Sequence, residues 1–282
     1  VTSGRITGEL LTQLWRYFRM TLKSTFKLAL VSLSFLLGAN AQVSGEVEGL
    51  AFLAQSDMEG PVTVVDFVKF KPGGEETYDR YDALAEEKLR ALGGEVIFRG
   101  YSSPFDGSAN ERGAARNGAD PSDLGWDQVT MRKYPSASAV VEMGASDEYR
   151  AALPNRAEAI ESSLVYAFGG NQMRNVPLSE SPDTIYMLNL LRFNDGGGVA
   201  GYGDYGSSVG PLIQGANGAV VLSARGITPI ISNQEIDRMI LVAYPSHAAF
   251  LSMVQSDVYR TISHKRTNSI ELGLNFPFSD HK

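Results

Sequence analysis

Polar side chains that could carry chemistry occur at corresponding places in two parts of the chain. Asp66 and Asn189 each lie in the middle of an apolar stretch, VTVVDFVKF and IYMLNLLRF, where a polar side chain needs a hydrogen-bond partner or a cavity. A carboxylate in such a place can act as a general base, whereas an amide cannot. Asp66 is therefore the candidate catalytic base and Asn189 a candidate ligand-binding residue, the alternative being core hydrogen bonding or a solvated strand edge.

Arginine and tyrosine residues also recur in both parts of the chain: the pair Arg99-Gly100 is matched with Arg225-Gly226, Arg156 with Arg266, and Tyr81 with Tyr205. A guanidinium group that points into a pocket can bind a carboxylate or stabilise an enolate. The alternatives are a structural ion pair for the arginines and helix packing for the tyrosines. The candidate ligand-binding residues are Tyr81, Arg99, Arg156, Asn189, Tyr205, Arg225 and Arg266.

Metal and cofactor motifs are sparse. The three histidines, His247, His264 and His281, form no His-x-x-x-His pair, and the chain has no cysteine. No nucleophile elbow, phosphate loop or dinucleotide fingerprint occurs. We therefore expect no metal and no cofactor, with haem bound through His264 as the alternative.

A repeated motif indicates a duplicated unit. Tyr134-Pro135-Ser136, Ser146-Asp147-Glu148-Tyr149-Arg150 and Arg156 recur 110 residues later as Tyr244-Pro245-Ser246, Ser256-Asp257-Val258-Tyr259-Arg260 and Arg266. Strand, helix and turn patterns around the motif predict the order βαββαβ in each copy. The serine after each Tyr-Pro is a predicted helix N-cap, and the helix that follows is predicted to break near Gly144-Ala145 and Gln255-Ser256.

This order is that of the ferredoxin-like unit, a four-stranded antiparallel sheet with both helices on one face. Both faces of the strands are apolar, so each sheet needs a cover, and the other copy can supply it. We therefore predict an α+β protein in which two tandem ferredoxin-like repeats pack sheet to sheet as an intrachain α+β barrel. Such a pseudo-dimer could assemble further into a homo-oligomer.

The two copies are expected to differ in two places. The helix of the second copy keeps a Tyr-x-x-Tyr spacing, but five glycines and Pro211 weaken it, at about 1 kcal/mol per interior glycine. The first copy carries a polar insertion at 102–125, which is a disordered excursion or a lid. The predicted domains are 61–168 and 183–282, joined by a linker at 169–182.

The N-terminal residues resemble a targeting signal. Lys23 and Lys27 precede the apolar run Leu28–Leu37, and Ala39-Asn40-Ala41 is a small-x-small cleavage pattern. We expect 1–41 to be an extension plus signal peptide, 42–60 to be a connecting segment, and the mature protein to be periplasmic or secreted. The apolar run is too short for a stable membrane span, which needs about 20 residues.

The charge balance argues against nucleic acid as a partner. The chain has a formal net charge of −7. Removal of 1–41 takes away five basic residues and one acidic residue, which leaves 20 basic and 31 acidic residues. A strongly acidic protein does not attract the phosphate backbone, so a small molecule is the expected ligand.

The two apolar stretches, the Tyr-x-x-Tyr helices, the two Arg-Gly pairs and the repeated Tyr-Pro-Ser motif together resemble a known family over about residues 61–278. It is the family called domain of unknown function 1330, of the dimeric α+β barrel superfamily. The resemblance implies the fold and little about function, because superfamily members include cofactor-free monooxygenases, haem enzymes, isomerases, cyclases and proteins without known activity. We expect an exported protein that binds a small, partly apolar molecule in an interior pocket, with cofactor-free catalysis of the monooxygenase or isomerase type as an extension. The alternative is a non-catalytic binding or oligomerisation module, whose pockets would be filled by Phe and Leu side chains.

Overall fold

The computed structural model describes residues 49–56, 58–105, 125–173, 181–232 and 234–282. The predicted signal and most of the predicted insertion therefore lie outside the described residues. Elements of the first half are α1 (49–55), β1 (Val62–Phe70), α2 (Glu75–Ala91), β2 (Glu95–Ser102), β3 (Gln128–Tyr134), α3 (Ala137–Ala145), α4 (Asp147–Ala159) and β4 (Ile160–Met173). Those of the second half are β5 (Ile185–Phe193), α5 (Gly198–Gly215), β6 (Ala219–Ile231), β7 (Arg238–Tyr244), α6 (His247–Gln255), α7 (Asp257–Thr267) and β8 (Ile270–Ser279).

The eight strands form one closed antiparallel barrel, in the order β1-β3-β2-β8-β5-β7-β6-β4. The two halves join where β4 pairs with β6 and where β2 pairs with β8. An α+β barrel within one chain was predicted, but the predicted contact was face to face only. The halves are also joined edge to edge, because closure gives the backbone groups of each outer strand a hydrogen-bond partner.

Side chains fill the inside of the barrel. Along β1, Val65 and Phe67 belong to the interior cluster, to which all eight strands contribute, whereas Val64 and Val68 pack outward under the helices. The ring of Phe67 lies 5.0 Å from that of Phe276, which comes from the other half. This arrangement explains why both faces of the strand are apolar, and it fills the interior in which a ligand pocket was expected.

The predicted helix signals are found in both halves. The Ser136 and Ser246 hydroxyls accept the backbone N–H groups of Ala139 and Ala249, each at 3.2 Å. In each half the second helical segment breaks at a serine, Ser146 or Ser256, whose hydroxyl accepts the N–H of the tyrosine three residues on. The N-cap and helix-break predictions are therefore confirmed.

Two elements, α5 and β4, differ from what the sequence predicted. The glycine-rich α5 is a continuous helix of 18 residues. Tyr205, Val209 and Ile213 bury one of its faces against the outer side of the barrel in the second half. Tertiary packing here outweighs helix propensity. Strand β4 runs to Met173, so 169–173 of the predicted linker are strand, since this end of β4 pairs with β6.

No helix in the described part of the chain is long and apolar enough to cross a membrane.

Candidate functional site

A cavity of about 60 Å³ lies between the outer face of the barrel and the helices of the first half. We call it the cluster cavity. Its apolar wall includes Leu50, Val64, Val140, Val165, Ile230 and Ile231. Because Ile230 and Ile231 lie on β6, the second half completes the cavity. Its polar wall includes Asp66, Tyr81, Arg132, Tyr134, Tyr149 and Arg156.

Asp66 is the centre of the polar wall. It is 4% exposed, and an Arg156 Nη2 group donates to its Oδ1 atom at 2.8 Å. The Tyr78 hydroxyl donates to Oδ2 at 3.2 Å, and Arg132 Nη1 lies 3.6 Å from the same oxygen. Both carboxylate oxygens are engaged, so Asp66 can accept a proton from a ligand only after one of these donors moves.

A chain of ion pairs continues from the cavity toward the surface. Arg132 bonds Asp82 as well as Asp66, and Asp82 lies 2.5 Å from Arg99, which also bonds Glu86. With Arg156, three arginines face three carboxylates. Burial by itself lowers the pKa of Arg132, but Asp82, the neighbouring tyrosines and Asp66 together outweigh it, and the pKa lies well above its ordinary value. For Arg156, burial likewise lowers the pKa, but Asp66 and the neighbouring tyrosines together raise it well above its ordinary value, so both guanidinium groups stay charged.

The tyrosine hydroxyls of the cavity are proton donors. The Tyr81 hydroxyl donates to that of Tyr149 at 3.4 Å, and the Arg156 guanidinium lies 5.8 Å from the centre of the Tyr81 ring. Burial raises the pKa of Tyr81, and burial together with the Asp66 charge raises that of Tyr78 well above its ordinary value. Both hydroxyls remain protonated at neutral pH, and that of Tyr81, which lines the cavity, can donate to a ligand oxygen.

The structure brings together three of the predicted site residues, Asp66, Tyr81 and Arg156. Arg99 belongs to the same ion-pair chain but does not line the cavity. The sequence reading missed Arg132 and Asp82. The available signal for Arg132 was a charged residue in the otherwise apolar third strand, VTMRKY. Its two carboxylate partners could not be found in this way, because they lie 50 and 66 positions away in the sequence.

The remaining predicted residues lie in the second half. Asn189 Nδ2 donates to the carbonyl oxygens of Met187 and Ile240, at 3.1 and 3.3 Å. Arg266 Nη2 donates to Asn275 Oδ1 at 3.1 Å. The Tyr205 and Tyr259 hydroxyls are 3.3 Å apart, as Tyr81 and Tyr149 are in the first half. Amide groups here occupy the places that Asp66 and Val165 hold in the first half.

Arg225 is not the counterpart of Arg99, although both precede a glycine. In the first half Arg99 pairs with Thr130 and Tyr101 with Gln128. In the second half the equivalent ladder pairs Ser223 with Ile240 and Arg225 with Arg238. The match of the two Arg-Gly pairs is wrong by two residues, and Arg225 corresponds to Tyr101.

The haem alternative depends on the position of His264. The described residues contain no group of three or more His, Cys, Asp or Glu side chains that could hold a metal ion. His264 lies exposed on α7. An axial haem ligand must face a cavity that encloses the ring, so the exposed His264 does not fit that role.

No family model and no curated protein matches the sequence. Among solved structures, a protein of unknown function from Rhodopseudomonas palustris is 28% identical, covers 43% of this chain and 89% of its own, and has a TM-score of 0.35. A proposed monooxygenase from Lactobacillus acidophilus NCFM is 10% identical, with 78% and 93% covered and a TM-score of 0.48. An anthrone oxidase-like protein is 9% identical, with 79% and 92% covered and a TM-score of 0.47. These scores carry no functional argument, and the resemblance to domain of unknown function 1330 stays a prediction.

Proposed function

We propose that the chain binds a small molecule in the cluster cavity through an acceptor group of the ligand, a carboxylate or a carbonyl oxygen. The observation that carries the proposal is the cavity itself, in which two buried arginines and three tyrosine side chains face an apolar wall. An acceptor oxygen would sit against the guanidinium groups of Arg132 and Arg156, and the apolar part of the ligand against Leu50 and Ile231.

The cavity limits the size of the ligand. A cavity of about 150 Å³ holds benzene, and drug-sized ligands need about 300–1,000 Å³. At about 60 Å³ the cluster cavity admits a short carboxylate, or the end group of a longer molecule. Arg132 Nε is buried and meets no acceptor among the described residues. Since a buried donor without an acceptor is costly, a ligand oxygen that accepts from this wall would be favoured.

Cofactor-free catalysis, of the monooxygenase or isomerase type, is the second candidate. The observation that favours it is a carboxylate, Asp66, in the polar wall of the same cavity. A ligand oxygen that takes over the Arg156 donors would free Asp66 Oδ1 to accept a proton from the ligand. The rival, a non-catalytic binding or oligomerisation module, requires no such transfer.

The binding proposal is tested on the full chain with a matched pair of variants. Native mass spectrometry should detect a bound small molecule, and calorimetric titration with propanoate should show saturable binding. Tyr149→Phe should weaken propanoate binding, whereas Tyr259→Phe, which removes the equivalent hydroxyl of the second half, should leave it unchanged. No bound mass together with no propanoate binding, or equal weakening by both variants, would contradict the proposal.

Catalysis is tested separately, once a bound molecule is identified. Asp66→Asn keeps the shape of the side chain and removes the base, so it should abolish turnover while near-ultraviolet circular dichroism stays that of the wild type. Full turnover by Asp66→Asn would leave binding as the only function of the site.

We also infer that the two halves are ferredoxin-like repeats produced by internal duplication. The strand orders β4-β1-β3-β2 and β8-β5-β7-β6 within the barrel support this history. Export is a further proposal, which rests on the N-terminal sequence pattern. N-terminal sequencing of the mature protein should find Gln42, and an intact Met20 would contradict it.

A further inference from the structure

We infer that a second site, on the outer face of the barrel in the second half, binds a small oxyanion through Arg225 and Arg238. The two residues are directly opposite each other on the antiparallel strands β6 and β7. Side chains at such positions point to the same face, with Cβ atoms about 5 Å apart, and like charges there destabilise the sheet. Neither arginine forms an ion pair with any carboxylate in the described part of the chain. We call these residues the arginine pair.

The equivalent place in the first half has uncharged residues instead of the two arginines. Tyr101 and Gln128 occupy the equivalent positions and carry no charge. Lys282 lies over the Tyr101 ring, 5.1 Å from its centre, and is held there by Glu75 and Asp79 of α2. The cation at this position of the first half, Lys282, therefore has two carboxylate partners.

Those carboxylates are missing from the second half. The Tyr-x-x-Tyr spacing aligns Glu75 and Asp79 of α2 with Val199 and Gly203 of α5. A Cβ atom on Gly203 would meet nothing within 4 Å. The second half therefore adds two positive charges at a place where both helix carboxylates are absent and the helix surface leaves room.

The recorded contacts of the arginine pair are with uncharged groups. Arg238 Nη1 donates to Ser223 Oγ at 3.3 Å. Arg225 packs over Gly170, where an added Cβ atom would lie 3.4 Å from Arg225 Nε. Asp237, next to Arg238 in sequence, accepts the Phe193 N–H at 2.7 Å and is not at ion-pair distance from either arginine. Two guanidinium groups on directly paired residues of neighbouring strands can together bind an anion with at least two oxygens.

The ligand class is therefore a phosphate or a carboxylate, and the two are separated by probes. Full-length protein is titrated with inorganic phosphate and with acetate against chloride at equal ionic strength, which keeps general screening constant. At least one oxyanion should bind saturably and raise Tm. Arg225→Gln should weaken that binding by about tenfold or more, as expected for loss of a charge-assisted fork.

The repulsion between the two arginines provides a second test of the proposal, through the Tm of the Arg225→Gln variant. Without added oxyanion, Arg225→Gln should have a Tm equal to or above that of the wild type, because it removes one of two facing like charges. With the oxyanion the order should reverse. Arg192→Gln, which removes an exposed arginine paired with Glu271 on the neighbouring strand, is the control and should bind the oxyanion as the wild type does.

Three results would overturn the proposal. They are no saturable shift with either probe, an equal shift in Arg225→Gln, and an Arg225→Gln Tm lowered equally with and without the oxyanion. The last result would show that Arg225 has a structural role only. Because Arg225 is exposed, its variant should fold, and the test does not depend on the more buried Arg238.

Discussion

The two halves of the barrel have the same order of strands and helices, but they differ in the side chains that lie beneath the helices. The first half buries Asp66 and Asp82 against Arg132 and Arg156. The second half has Asn189, Gly206 and Val242 where the first has Asp66, Asp82 and Arg132. One side is held by ion pairs and the other by amide hydrogen bonds and apolar packing.

This difference shows that the fold does not require the ion pairs. Features that the backbone does need are present in both halves. One example is the Asp127 and Asp237 carboxylates, which accept the Phe70 and Phe193 N–H groups at 2.7 Å each. Buried ion pairs often contribute no more stability than apolar packing of the same volume. The charged cluster in the first half is therefore not a requirement of the fold, and the predictions that follow test this comparison.

The largest effect is expected when the halves are separated. Residues 43–176 alone would expose the β2 and β4 edges and the inner faces that now form the barrel core. We expect this fragment to be insoluble, or to form a dimer in which a second copy closes the barrel. Analytical ultracentrifugation provides the measurement, and a stable monomeric fragment would show that a half-barrel needs no cover.

Alkaline pH should destabilise both halves alike. Burial is the main cause that raises the pKa values of Tyr78, Tyr81, Tyr134, Tyr205 and Tyr244 above the ordinary value of 10. Above pH 10 the unfolded chain loses these protons and the folded chain keeps them, so the folded state binds more protons. The free energy of unfolding must then fall as pH rises, by up to about 1.4 kcal/mol per pH unit for each tyrosine.

Urea unfolding at pH 8 and at several values above 10, followed by tryptophan fluorescence, measures this dependence. The stability is fully present below pH 10 and is lost above it. A free energy of unfolding that stays constant up to pH 11.5 would mean that these hydroxyls are not buried from solvent.

Breaking the charged cluster should cost more than any matched change in the neutral half. Arg132→Met removes the cation between Asp66 and Asp82, which leaves buried carboxylate charge poorly compensated, and we expect a loss of about 3–5 kcal/mol. Val242→Met, at the equivalent position of the second half, adds volume to a buried site without breaking an ion pair and should cost less, about 1–3 kcal/mol. Urea titration gives both values, and similar losses in the two variants would remove the energetic distinction between the halves.

Converting the first half to the pattern of the second should be tolerated better than that single change. The triple variant Asp66→Asn, Arg132→Val, Val165→Asn removes one charge of each sign and gives Arg156 an amide acceptor, as Asn275 gives Arg266. We expect it to fold and to lose about 2 kcal/mol or less. It should also lose propanoate binding. A triple variant less stable than Arg132→Met would show that the neutral pattern works only in the second half.

Local sequence signals determined much of the framework. The bounds of β1 and β5, the caps at Ser136 and Ser246, and the helix breaks at Ser146 and Ser256 agree with the sequence reading. Each depends on residues close together in the chain. The apolar character of both strand faces was likewise sufficient to require a cover for each sheet, and hence a barrel.

Only the tertiary structure decided where the chemistry lies. The pairing of β6 with β7 places Arg225 opposite Arg238, and it places Ser223 where Arg99 stands in the first half. The cavity lies under the helices because apolar side chains from all eight strands fill the barrel interior. Asp66, Asp82, Arg132 and Arg156 meet there from two strands and two helices, up to 90 positions apart. Register and long-range side-chain contacts depend on how separate elements pack, and no local pattern of residue types encodes them.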